Sequence, residues 1–176
     1  MKIEIKHRFT RSIIVSGDYE SVKDCLEENR GAHLRGADLR DTNLRGADLE
    51  GAHLEDAHLE GTNLRGADLE DAHLEGADLR GAHLEDAHLE GTNLRGAYLE
   101  GAKGYSQSHD IFREAVRRQS VSAFVDTEWS AIAQITIHTL CWDSIKKRFS
   151  RVMPHIFEVL AEAGFGEYLE YWNSIK

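Results

Sequence analysis

One feature limits the folds open to this chain more than any other: from Ala32 to Gly101 it is written in 14 consecutive units of five residues. Each unit reads Ala or Thr, a polar residue, Leu, Arg or Glu, then Gly or Asp, with Tyr98 the one aromatic among the polar positions. The Leu position has no exceptions, running Leu34, Leu39, Leu44, Leu49, Leu54, Leu59, Leu64, Leu69, Leu74, Leu79, Leu84, Leu89, Leu94 and Leu99. A period of five fits neither regular element. Five steps of an α-helix turn through about 500°, which scatters the leucines around the cylinder, and in a flat strand they alternate between faces. All of them can share one interior only if the chain bends once per unit, and Gly or Asp is suited to that corner. Within a unit, Ala and Leu point to one side and the polar residue between them points out. Right-angled bends close the chain after roughly 20 residues, and successive coils then stack at about 4.8 Å.

Units such as Ala37-Asp38-Leu39-Arg40-Asp41 and Ala47-Asp48-Leu49-Glu50-Gly51 resemble the A(D/N)LXX units of the pentapeptide-repeat family. That resemblance implies a right-handed quadrilateral β-helix with Leu and the small residue inside. The expected fold is therefore an all-β solenoid core of about 3.5 coils, on the order of 17 Å long, over residues 32–101. Open ends would expose leucines and unpaired backbone, so both ends need covering. Residues 1–31 are expected to form a short N-terminal strand and helix cap, and residues 102–176 an α-helical C-terminal cap. The opening MKIEIKHRFTRSIIVSG also resembles the strands that lead into the repeats in some family members. Ile3, Ile5 and Phe9 are placed on an alternating strand, and Asp18 to Asn29 reads as a helix beginning near Asp18.

After Gly101 the pattern breaks, because Gly104 stands where the next Leu is due. Helices are expected over His109–Gln119 with Ser108 as cap, and over Asp126–Leu140 with capping at Asp126 or Thr127. Three more are expected over Asp143–Ser150, Pro154–Ala163 and Glu167–Trp172, with Gly164 as a stop and Phe165 folding back. Trp129, Trp142, Phe149, Phe157 and Trp172 are the expected aromatic core. His138, Cys141 and His155 lack a fourth ligand or a motif, so they read as packing and surface residues. The basic stretch Lys146–Arg151 reads as a solvated helix face.

Charge narrows the functional classes. The net charge of -10 sits entirely in the repeat, which carries 6 Arg against 16 Asp and Glu, whereas the flanks are each balanced. Such acidity argues against a nucleic-acid-binding surface, which needs Lys and Arg to neutralise phosphates. Two cysteines are too few for a disulfide framework, and no apolar run reaches membrane-spanning or signal-peptide length. A cytoplasmic location with no membrane contact is expected.

Stacking the coil at 20 residues writes out its surface. His33, His53, His73 and Asn93 share one column, and Asp38, His58, Asp78 and Tyr98 the next. Arg40, Glu60, Arg80 and Glu100 alternate in sign, which favours pairing between coils, whereas Asp48, Glu50, Asp68, Glu70 and Glu90 form an acidic face. His33, His53 and His73 are weak metal candidates, because a straight ladder cannot wrap three ligands tetrahedrally around one ion. No metal or other cofactor is expected. GAHLEDAHLEGTNLRGA at 51–67 recurs unchanged at 81–97, an offset that is not a whole number of coils. The sequence offers no structural reason for that offset, and the array reads as consensus-like, recently duplicated or engineered, between natural-looking caps.

Glycine-rich phosphate loops, nucleophile elbows and zinc-hydrolase helix motifs are absent. The expected function is a non-enzymatic structural scaffold. The family resemblance adds two partner expectations: a homodimer through the C-terminal helices, and, as the alternative function, a DNA mimic binding DNA gyrase or topoisomerase IV. Six Arg and a short rod weigh against the mimic. A second alternative is weak metal binding through the stacked histidines.

Overall fold

Parallel bridges 20 residues apart set the geometry of the repeat: His33 pairs with His53, Asp38 with His58, Asn43 with Asn63 and Asp48 with Asp68, and each series continues upward. The computed structural model describes residues 1–105, 108–138 and 142–174, without side chains at 121, 136–138 and 143. Its contacts divide the chain into Met1–Gly104 and Tyr105–Lys176.

The units from Ala57 to Gly81, which have a coil on either side, tie down their backbone in the same way. Around Leu59, the Leu59 and Gly61 N–H groups donate to Asp78 and Arg80 carbonyls of the next coil, at 2.7 and 3.0 Å. His58 donates back to Ala37 of the previous coil at 2.8 Å, and Thr62 closes the corner onto the Leu59 carbonyl at 3.1 Å. The ladder satisfies polar backbone that would otherwise be costly to bury beside an apolar interior. All 14 repeat leucines are buried, none more than 5% exposed. Thr62 and Thr92 occupy the small position without stranding a hydroxyl, since their Oγ1 atoms donate to the Leu39 and Leu69 carbonyls at 2.8 and 2.9 Å.

The corner explains the last residue of the unit. In all 14 units it has a left-handed backbone, with φ from 55° to 73°. That conformation costs most L-residues about 1–2 kcal/mol, while Gly adopts it freely and Asp tolerates it. Asp fills the corner at 41, 56, 71 and 86, an interval of 15 residues on a coil of 20, so each Asp lands on a different corner. The residue one coil on from Asp41, Asp56 and Asp71 is always Gly. A Cβ on Gly61 would lie 2.5 Å from Asp41 Oδ1, and one on Gly76 2.7 Å from Asp56 Oδ1. The Asp carboxylate thus occupies the space its neighbour leaves empty. Here is a structural reason for repeats out of step with the coil, which the sequence alone did not supply.

The coil register runs slightly past Gly101. Ala102 is buried, Lys103 bridges His83, and the Leu84 N–H donates to the Lys103 carbonyl at 2.7 Å. A missing Leu removes a core side chain without removing the backbone ladder.

At the other end, β1 (Lys2–Lys6) and β2 (Ile13–Asp18) pair antiparallel, with a bulge between Ile5 and Lys6. Ile3, Ile5 and Val15 turn inward. The edge of the first coil is then paired: Asp38 donates to the Lys6 carbonyl at 2.8 Å and Arg8 to the Gly36 carbonyl at 2.7 Å. Phe9 does not extend the strand. It is 73% exposed in the β1–β2 loop, with the Arg8 guanidinium 4.3 Å above its ring. Helix α1 (Val22–Glu28) likewise begins later than Asp18, which ends β2, because Ser21 accepts the Asp24 N–H at 3.1 Å and caps the helix. Cys25 and Leu26 are its buried face.

The second unit contains α2 (His109–Arg117), a single 3-10 turn (Val121–Ala123), α3 (Asp126–His138), α4 (Trp142–Phe149), α5 (Met153–Glu162) and α6 (Glu167–Ser174). Ser108 caps α2 through the Ile111 N–H, at 3.2 Å. Neither Asp126 nor Thr127 supplies the N-terminal contact of α3 that the structure defines: Glu128 reaches back to the Val125 N–H at 2.9 Å, half of a capping box. Helix α5 ends in a Schellman motif at Gly164 (φ 94°), with the Phe165 N–H on Leu160 and the Gly164 N–H on Ala161. The core centres on Phe112, Phe157 and Tyr168, with Trp142 and Trp172 against them. Trp129 and Phe149 are only half-buried. The Tyr168 hydroxyl is satisfied by the Ser108 carbonyl at 2.6 Å, which lets a tyrosine serve as a core residue.

Candidate functional site

The chemistry of the coil lies on its outer faces, where the polar residue of each unit does local work. Asn and Asp there accept the backbone N–H two residues on: Asn43 from Arg45, Asp68 from Glu70, Asp78 from Arg80 and Asn93 from Arg95. This is the short-range bond that favours Asx residues at bends. At four of the histidines in the same position the ring instead turns toward a glutamate two residues on. Nδ1 to carboxylate distances are 3.4 Å for His53–Glu55, 3.6 Å for His58–Glu60 and His83–Glu85, and 4.0 Å for His73–Glu75.

On the first face the histidines form a column. The His33 and His53 rings are 5.0 Å apart and tilted by 49°, whereas His53 and His73 are 4.9 Å apart and nearly parallel at 9°. Glu55 sits beside the upper pair, and His53, Glu55 and His73 each bring a ligand-type atom within 4.8 Å of the others. His33 is outside that cluster. The residue two beyond it is Arg35, which pairs with Asp56 at 3.2 Å. Burial alone would raise the Glu55 carboxyl; its own backbone N–H and the His53 and His73 rings outweigh that and lower it.

A second cluster joins His58, Glu60 and Asp78 on the next face. There Arg80 already forks onto Asp78 at 2.7 and 2.5 Å and reaches Glu60 at 3.3 Å. Arg80–Glu60 is a pairing between coils, but Arg40 turns to Asp38 in its own unit, at 2.8 Å on both arms, rather than to Glu60. On the third face Arg65 forks onto Glu85 of the next coil at 2.9 and 2.7 Å and holds its carboxyl down to about 2.

The acidic face is only partly bare. Glu50, Glu70 and Glu90 are exposed. Asp48, however, binds Arg30 at 2.6 Å, and its N–H donates to Glu27 of α1 at 3.0 Å. Asp68 is half-buried and bonded to the Glu70 N–H. In the helical unit His155 is engaged with buried Glu128 at 2.7 Å, while Cys141 and the side chain of His138 lie outside the described residues. Glu55 is the residue that sequence reasoning missed. The signal was present as the His-Leu-Glu spacing, which recurs in five units.

Residues 32–71 and 67–103 match the family described as pentapeptide repeats, in eight copies. Solved structures that resemble the chain include Rfr23, a pentapeptide repeat protein from the cyanobacterium Cyanothece 51142. It is 45% identical over 39% of this chain and 45% of its own, with a TM-score of 0.37. HetL from Nostoc sp. strain PCC 7120, described as involved in heterocyst differentiation regulation, is 42% identical over 41% of this chain and 36% of its own, with a TM-score of 0.27. A pentapeptide repeat protein of the Arabidopsis thaliana thylakoid lumen is 37% identical over 37% of this chain and 52% of its own, with a TM-score of 0.16. The chain spans less than half the length of the first two. No curated protein sequence matches it.

Proposed function

Because the chain belongs, through residues 32–103, to the pentapeptide-repeat family, we propose that it works as a non-enzymatic structural scaffold. The family implies a right-handed quadrilateral β-helix, which we read as about 3.5 coils from 14 units on a coil of 20 residues; the β1–β2 pair lies at its first edge, and a helical region follows. The reading rests on one observation above all: all 14 repeat leucines turn into the interior and are buried there. A coil packed in this way turns only convex faces outward, and catalytic sites need a concavity that excludes water. The charged side chains on those faces also spend themselves largely on one another, as in Arg40–Asp38, Arg80–Asp78 and Arg65–Glu85. Among the described residues no helix is long and apolar enough to cross a membrane.

The array is consensus-like in construction, whether by duplication or by engineering. Its regular surface suits protein contact more than chemistry. The test is a DNA gyrase supercoiling assay with the full chain at stoichiometric concentration, run alongside light scattering. Unimpaired supercoiling is the expected result. Inhibition would mean that the face of Glu50, Glu70 and Glu90 acts as a DNA mimic and that scaffolding is not the whole function. Light scattering reports whether the chain forms the homodimer expected of its C-terminal helices.

A further inference from the structure

The geometry points to a divalent transition-metal site formed by His53, Glu55 and His73 across two adjacent coils. Two imidazoles and a carboxylate are the donor set of Zn2+ and Co2+, whereas Mg2+ and Ca2+ take oxygen ligands. Ligands around a tetrahedral ion at about 2.0–2.1 Å stand roughly 3.3–3.5 Å apart. His53 Nδ1 and Glu55 Oε1 already meet that separation, at 3.4 Å. The third ligand needs to close by at most about 1.4 Å from a set that lies within 4.8 Å. His73 is 45% exposed at its side chain and would exchange its 4.0 Å approach to Glu75 for the ion.

Glu55 Oε2 is shielded from solvent and has no hydrogen-bond partner, so the carboxylate carries an unsatisfied acceptor; Glu60 Oε2 of the second cluster shares that feature, and what separates the two clusters is the guanidinium beside them. Glu55 also stands off the histidine column, which removes the geometric objection to a straight ladder of three rings. The neighbouring guanidinium, Arg35, is committed to Asp56. In the parallel cluster of His58, Glu60 and Asp78 the Arg80 guanidinium already neutralises both carboxylates, so an incoming cation would have to displace it. The fourth position at the first cluster opens to solvent and would be filled by water.

The test is a titration of the full chain with Co2+, followed by visible d–d absorption, and of the same sample with Zn2+ by calorimetry. Saturable binding near one equivalent is expected. His53→Asn, Glu55→Gln and His73→Asn should each weaken it by more than about 10-fold, the lower end of what even outer-shell partners contribute. His33→Asn and His58→Asn should leave it unchanged. These variants should fold, because Asn already occupies the same position in the unit at Asn43, Asn63 and Asn93. The proposal is overturned if the unaltered chain does not saturate, if the His53→Asn/His73→Asn double variant binds as tightly as the parent, or if His58→Asn removes binding.

Discussion

The repeat and the helical unit both bury apolar side chains, but they differ in how a residue acquires its environment. In the repeat, position within five residues decides inside or outside, and position within 20 decides the vertical neighbour. Leu64 and Leu69 are interchangeable in role and equally buried. In the helical unit no translation relates one residue to another. Phe112 from α2, Phe157 from α5 and Tyr168 from α6 meet only because three helices converge. The lesson is that a periodic fold spreads its specification over many equivalent weak statements, while a small helical core concentrates it in a few large side chains.

The largest expected effect breaks the repeat. Leu64→Asp places a carboxylate in a wholly buried position without a partner, and the parallel-β circular dichroism signal should be lost altogether. Retention of that signal would show that the interior tolerates charge. Next, Phe157→Ala should cost about 3–5 kcal/mol, read from the urea transition of tryptophan fluorescence, since all three tryptophans lie after residue 128. A loss below about 1 kcal/mol would mean that the aromatic cluster shares its burden as the leucines do.

Corner substitutions sharpen the comparison further. Gly61→Ala must adopt φ near 65° and also meet Asp41 Oδ1, so it should cost at least about 1–2 kcal/mol. Adding Asp41→Gly should recover the contact share of that loss but not the backbone share, and strict additivity in the double variant would refute the proposed fit between stacked corners. The smallest effect is electrostatic. The Arg40 fork holds the Asp38 carboxyl down to about 2, and the Arg65 fork does the same for Glu85. With folded values depressed, this stability is present above the unfolded pKa values and is lost as pH falls from about 4.5 toward 2. Solvent screens both pairs, so each contributes little, and Arg65→Gln should flatten the acid limb of a urea-midpoint profile only slightly. An unchanged limb would show that the Glu85 pair adds nothing.

Much of this was legible in advance, and the misses share a cause. The invariant Leu and the corner Gly or Asp declare themselves, since only an interior and a left-handed bend accept those residues every five positions. Alternation with Ile3 and Ile5 put Phe9 on the first strand, and the structure does not keep it there. Its exposure follows from the chain leaving β1 at Lys6 to pair with the first coil. Tyr168 was not among the expected core residues: its hydroxyl needs a partner once buried, and that partner, the Ser108 carbonyl, is 60 residues away. Glu55 was visible only as one outward charge among many, since a column drawn from 20-residue spacing places His53 with His33 and His73 and leaves out the residue beside them.

By itself, then, the sequence determined the coil, its interior, its corners and the columns of its surface. These follow from periodicity, and a translational repeat turns local chemistry directly into position. The tertiary structure alone decided which partner each outer side chain takes. A long side chain on such a face can turn to a residue two positions away or to one 20 positions away: Arg40 takes the first course, Arg65 the second and Arg80 both. Periodicity offers both options equally, and only the packing of neighbouring side chains chooses between them.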